Sequence, residues 1–245
     1  MTTSETAAAE TSETFLRARR PEQKQRRREE ILAAARKLAL AEGVRSVSLA
    51  RIAGLAGIDK SALLRYFETR EQIFLELTAR EWPAWAQALH DGLDGADPAP
   101  AGPGPRLVAD VVARSFGDRP LFCDLLAHTP LNLERNVSPE AVRGYKLISL
   151  TAVEEAAGVV GRVLPDLTER ECREFISAIA SLAGNLWQIA NPAPALAALY
   201  ASDPALAHAC VDLVPRLRRT AEILLAGLIP SRPLLAGRDG PELVQ

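Results

Sequence analysis

The stretch Ser46–Arg70, SVSLARIAGLAGIDKSALLRYFETR, decides the fold. Ser48 is placed to cap a short helix, its hydroxyl accepting from a free amide one turn on. Leu49, Ile52 and Ala53 follow at i, i+3 and i+4 and give that helix one apolar face. Ala53 is small where two helices must cross. Gly57 stands where the helix stops and the chain reverses, a position that usually needs a positive φ. Ile58 fills the corner and Asp59 can cap a second helix. Leu63, Tyr66 and Phe67 hold the second helix down, which leaves Lys60, Ser61, Ala62, Leu64 and Arg65 facing outward. Two short helices joined this way form a helix-turn-helix, whose second helix enters the DNA major groove.

On the N-terminal side, residues 17–28 carry seven basic residues and one acidic one. Arg26, Arg27 and Arg28 end this block, which suits an arm that grips phosphates. The helix-turn-helix region adds a small positive balance. Residues 71–245 are acidic, so the overall charge of −2 hides a basic end and an acidic remainder with no reason to touch DNA.

Three segments carry a resemblance to one family: Ser48–Ala53 (SLARIA), Ala56–Phe67 (AGIDKSALLRYF) and Thr69–Phe74 (TREQIF). Together they resemble the N-terminal domain of the TetR (tetracycline repressor) family, which would cover about residues 25 to 75. The family often has a phosphate-binding tyrosine where this chain has Leu64. The resemblance implies a dimeric DNA-binding regulator whose second domain takes a small molecule. The expected DNA-contacting set is Arg26, Arg27, Arg28, Ser48, Lys60, Ser61, Ala62, Arg65, Tyr66 and Arg70.

The rest of the chain reads as all-α. Alanine and leucine are abundant, aromatic residues make up 5%, and period-two alternation is scarce. About nine helices are expected. The first runs from Pro21 or Gln25 to Glu42, with Ile31, Ala35, Leu38 and Ala39 inward and Gly43 ending it. Thr69 and Gln72 open the fourth with a capping-box pattern, and Pro83 should bend it. A Pro- and Gly-rich break spans 94–105. Helices follow near 106–116, from Asp118 or Pro120 to an interruption at Pro130, and from Ser138-Pro139 to Val163 with Val142, Tyr145, Ile148 and Val153 inward. Thr168 and Glu171 make a capping box for the eighth, and a short helix is expected near 195–200. A ninth runs from Asp203-Pro204 to Leu228 with a kink at Pro215. The predicted division is a disordered extension at 1–20, a helix-turn-helix domain at 21–70, a helical ligand-binding and dimerisation domain at 71–230, and a loose tail at 231–245.

Catalytic patterns are missing from the sequence. His90, His128 and His208 are scattered, and neither HExxH, GxSxG nor a phosphate loop occurs. Cys123, Cys172 and Cys210 lie far apart, with no metal-ligand spacing and no disulfide framework, as in a reducing cytoplasm. No cofactor, metal or membrane span is expected. A helix-turn-helix needs only about 50 residues, so some 150 have another task. Phe116, Phe122, His128, Tyr145, Asn185, Trp187 and Gln188 are the candidate pocket residues, an apolar set with a few polar anchors. Helices near 168–190 and 204–228 are the expected dimer interface, and double-stranded DNA with a near-palindromic operator is the expected partner. The rival reading is an all-α protein that has lost DNA binding and uses its C-terminal part for partner binding or catalysis.

Overall fold

Ser48 Oγ accepts from the Arg51 amide at 3.4 Å and opens α2 (Leu49–Leu55), as its sequence position requires. Ile52 and Ala53 are buried beneath it. Gly57 takes φ +67°, the left-handed value that reverses the chain. Asp59 occupies the cap position of α3 (Lys60–Leu63) without a side-chain capping bond. That helix is a single turn. It continues through Tyr66 as i→i+3 bonds, Arg65 N to Ala62 O and Tyr66 N to Leu63 O, and is pinned by fully buried Leu63 and Phe67.

These elements belong to a computed structural model that describes residues 4–94, 104–209 and 211–229, all helix and connecting turn, with no strand among them. The predicted break at 94–105 falls largely outside the described residues, as do Cys210 and the predicted tail. α1 is longer than predicted, Ser4–Glu42. Its start corrects the expectation of a disordered extension from Ser4 onward. The segment is rich in alanine and glutamate, good helix formers that carry the helix back from the buried turn at Ile31–Ala35. Gly43, at φ +81°, ends it, and a 3₁₀ turn, Val44–Ser46, leads to Ser48.

Thr69 Oγ1 accepts from the Gln72 amide at 3.1 Å and opens α4 (Arg70–Leu93). The Gln72 side chain returns to the Glu68 amide at 2.6 Å, one residue earlier than a capping box places it. α4 continues through Pro83 and is shared by the helix-turn-helix and the larger bundle. α5 (Gly104–Gly117) and α6 (Pro120–His128) follow, and α6 gives way at Pro130 to a π-helical turn, Thr129–Leu133. α7 (Pro139–Val163) and α8 (Glu169–Ala190) come next, and the Thr168/Glu171 capping box is present with both bonds formed. α4 packs on α7, α5 on α10, and α8 holds α6, α7 and α10 together.

Two sequence expectations shift here. Ile148 is 42% exposed, because the buried stripe of α7 is Tyr145, Ser149, Ala152, Ala156 and Val160, one residue out of phase with it. The predicted ninth helix is not continuous. A short α9 (Pro194–Ser202) is followed by a 3₁₀ turn, Pro204–Ala209, and then α10 (Leu213–Leu228). Pro215 therefore lies in the first turn of α10, where its missing N–H costs nothing, rather than at a kink. The bundle core is an aromatic cluster. Trp85 stacks on Phe116 at 4.7 Å and meets Trp82 edge-on at 5.8 Å, and Phe122 meets Trp82 edge-on at 5.2 Å.

Candidate nucleic-acid interface and internal cavity

The outward face of α3 carries exposed Lys60, Ser61, Leu64 and Arg65, with Ala62 half-buried. Ser48, at the start of α2, is exposed as well. Beside α3, Gln23, Lys24, Arg26 and Arg27 of α1 face Arg65 and Tyr66 across a groove of about 610 Å³. The groove thus brings together four of the predicted contact residues, two from each side, and adds Lys24, which sequence reading had placed only in the basic block. Arg26 is 84% exposed, and both Arg26 and Arg27 pair with Glu30, at 3.3 and 2.6 Å. Such exposed pairs are worth little and open readily to a phosphate.

The other two predicted contacts turn inward. The Arg28 guanidinium donates to the Tyr66 carbonyl and to Glu76, and lies 4.2 Å over the Phe67 ring. Arg70 donates to the carbonyls of Val44 and Val47 and to Glu71 at 3.0 Å, and lies 4.7 Å over Phe74. Both are spent on tying α1, the 3₁₀ turn and α4 together. Arg28 follows two arginines and Arg70 stands between Thr69 and Glu71, and nothing local marks either as inward. The distinguishing partners arrive only through tertiary folding.

The predicted pocket residues separate into three places. Tyr145 and Asn185 line a cavity of about 390 Å³ bounded by α4, the end of α6 with its π turn, α7 and α8. Its wall is apolar at Trp82, Leu126 and Val153, and polar at Ser149, Ser177 and Ser181. Trp82 Nε1 donates to the Tyr145 hydroxyl at 3.2 Å, which fixes one corner. Burial pushes the Tyr145 phenol above its ordinary value. At the mouth Lys146 pairs with Glu134 at 2.8 Å. Phe116 and Phe122 lie in the aromatic cluster instead, fully buried, because ring stacking claims them. His128, Trp187 and Gln188 line a separate cleft of about 840 Å³ between the helix-turn-helix and the bundle. The serines of α7 and α8 are the missed signal: Ser149 is buried in the wall, and Ser177 and Ser181 line the cavity while still exposed.

At that cleft Asp124 is 8% exposed and accepts from the Val44 amide at 2.7 Å and from Gln188 Nε2 at 2.7 Å, with His128 Nε2 at 3.5 Å. Burial alone would raise its carboxyl, but these partners outweigh burial and hold it below the ordinary carboxylate range. Nearby, buried Glu81 of α4 pairs with Arg36 of α1 and lies 3.6 Å from Arg119, which precedes α6. Cys123 and Cys172 are buried free thiols, pushed up by burial to about 12 and about 11. Among the described residues no group of three or more metal-ligating side chains occurs, and no helix is long and apolar enough to cross a membrane.

The sequence matches the family described as "Bacterial regulatory proteins, tetR family" over residues 31–77 and "Tetracyclin repressor-like, C-terminal domain" over residues 79–232. The chain belongs to the TetR family. Three solved structures share the fold of this TetR-family regulator. The fatty acid degradation regulator FadR of Bacillus halodurans is 14% identical with TM-score 0.53, covering 82% of this chain and 96% of its own. FadR of Thermus thermophilus, a TetR-family transcriptional repressor in complex with lauroyl-CoA, is 17% identical with TM-score 0.52, covering 88% and 98%. FadR of Bacillus subtilis in complex with stearoyl-CoA is 17% identical with TM-score 0.51, covering 81% and 98%. No curated protein matches the sequence significantly.

Proposed function

We propose that the protein is a homodimeric cytoplasmic repressor that holds a near-palindromic DNA operator and releases it when a small molecule fills the 390 Å³ cavity. The observation that carries this reading is the cavity's position. Two of its walls, α4 and α6, are the elements that also touch the helix-turn-helix. Residues 21–70 serve as the DNA-binding domain and 71–230 as the effector and dimerisation domain. Lys60, Ser61, Ala62 and Arg65 face base edges. Ser48, Lys24, Arg26, Arg27 and Tyr66 face phosphates.

The cavity fits a molecule with an apolar body and few polar groups. Its one cation, Lys146, is already paired with Glu134 at the mouth. Two of the FadR structures hold acyl-CoA molecules, whose acyl chain is an apolar body of the kind this cavity would take, which makes lauroyl-CoA a first probe. Exposed Asn185 and Ile189 on α8 and Ile223 on α10 give the faces a second copy would cover. Gly184, also on α8, is buried against α6 and lies outside that face. Two half-sites about 34–36 Å apart need the recognition helices held at one spacing, so occupancy that favours a splayed pair releases DNA.

The test is a gel shift with the gene's own upstream DNA, with light scattering for mass. A retarded band from a species of twice the chain mass supports the reading. Failure to bind that DNA at any salt, from a folded dimer, would refute it.

A further inference from the structure

Asp124 belongs to α6, lies at the cleft rather than in the cavity, and plays no part in either proposed contact set. Its carboxylate is nevertheless one of the most heavily engaged side chains in the molecule. One oxygen accepts from the Val44 amide, in the 3₁₀ turn that leads directly into α2. The other accepts from Gln188 of α8. The approach is close. A Cβ added at Gly43 would lie 3.6 Å from Asp124 Oδ2.

Two and three residues further along α6, Leu126 and Ala127 line the cavity. The two sites are less than one helical turn apart on a single rigid element. α6 is also clamped from behind. Gly184 of α8 packs so tightly on it that an added Cβ would stand 2.8 Å from the Ala127 amide nitrogen and 3.2 Å from the Leu126 carbonyl carbon. At its start α6 is held through Arg119, which donates to the Ala84 carbonyl at 2.9 Å and reaches Glu81. With its start anchored on α4, any displacement forced at Ala127 is felt at Asp124.

Resting on the effector-controlled reading above, we infer that Asp124 is the positioning residue that transmits the state of the cavity to the helix-turn-helix, through its bond to the Val44 amide. This route adds to that of α4, which reaches the same turn through the bonds of Arg70 to the Val44 and Val47 carbonyls. Asp124 acts on the turn's amide, from α6. A shift of α6 by a fraction of an ångström lengthens the bond that the Val44 amide donates. The turn then loosens, and α2 and α3 lose their fixed orientation against the bundle. Coupling of this kind is worth on the order of fivefold or more in an equilibrium.

The glycine clamp allows a test that needs no effector. Gly184→Ala forces the α6 backbone to move, because its new methyl meets backbone rather than a flexible side chain. The experiment is a double-mutant cycle of Gly184→Ala and Asp124→Ala, read by amide exchange over residues 44–63 and by affinity for the upstream DNA. In the parent background Gly184→Ala is expected to speed exchange over 44–63 by about fivefold or more, with a matching loss of affinity. In the Asp124→Ala background, where the bond is already gone, it should add less than about twofold. Asp124→Asn retains an acceptor oxygen for Val44 and should transmit like the parent. Far-UV circular dichroism of each variant confirms that the helices are intact.

Equal fold-changes from Gly184→Ala in both Asp124 backgrounds, or unchanged exchange over 44–63 in the parent background, would overturn the inference. The exchange arm decides this without DNA. The DNA arm separately decides the regulator reading, so a chain that binds no DNA yet shows the exchange pattern refutes that reading and leaves the joint standing.

Discussion

Arg65 and Arg70 stand five positions apart in the sequence and are used in opposite ways. Arg65 is exposed and lines the groove beside α1. Arg70 is 19% exposed and donates to two backbone carbonyls of the turn before α2. The same contrast runs through α1, where Arg26 and Arg27 face solvent and Arg28 clamps Tyr66 and Glu76. What assigns an arginine to the surface or the joint is the nearest unmet acceptor. The 3₁₀ turn and the end of α3 leave carbonyls that no helix satisfies, and a buried carbonyl without a donor is costly. The arginines within reach are recruited to them, and those out of reach remain available for a nucleic acid.

The largest expected effect comes from the inward set. Arg70→Ala removes both donors from Val44 O and Val47 O and should cost about 2–3 kcal/mol of stability, read by urea unfolding. A variant as stable as the parent would break the contrast, since Arg70 would then be as free as Arg65. Arg65→Ala should behave the other way. It should leave stability within about 0.5 kcal/mol of the parent and weaken operator binding by about 1–3 kcal/mol with relaxed discrimination. Equal losses on operator and random DNA would place Arg65 on a phosphate rather than a base.

Acid sharpens the same contrast at the joint. Asp124 is held below the ordinary carboxylate range in the folded chain, so the unfolded chain takes up its proton first as pH falls. The stability it lends is complete above its unfolded value of about 4 and is lost as pH drops through the lower folded value. Melting scans from neutral to acid pH should show Asp124→Asn with a shallower acid limb than the parent. Superimposable limbs would mean the carboxylate charge is immaterial there. The smallest effect belongs to the arm. Arg26→Ala should lower affinity for all DNA alike and reduce the salt slope by about 1, with stability unchanged within about 0.5 kcal/mol.

The helix-turn-helix was legible because its signals are local. A cap at Ser48, a positive φ at Gly57 and a buried pair at Leu63 and Phe67 all act within a few residues of one another. The α8 capping box was legible for the same reason. What escaped depends on contacts between distant segments. The phase of α7 is set by α4 and α8, so Ile148 and Ser149 exchanged places relative to the periodicity. Pro215 read as a kink because its helix was drawn too far back, and only the 3₁₀ turn at 204–209 shows where α10 begins. Among the pocket candidates the aromatic residues were misplaced for a physical reason. Phe116 and Phe122 gain more from stacking with tryptophans than from lining a void.

The bond from Val44 to Asp124 is made by a backbone amide, and every amino acid except proline carries one. At this contact the bundle addresses its DNA-reading head without consulting a side chain of that head, whereas along α4 it does so through Arg28 and Arg36. A head of different sequence would plug into the same socket if it kept a glycine-like bend at position 43, avoided proline at 44 and retained the arginines that meet Glu76 and Glu81. In that sense the junction is an interchangeable fitting. A chimera carrying another family member's residues 22–67 on this bundle, with arginines kept at 28 and 36 for Glu76 and Glu81, would inherit the new operator and retain the old effector.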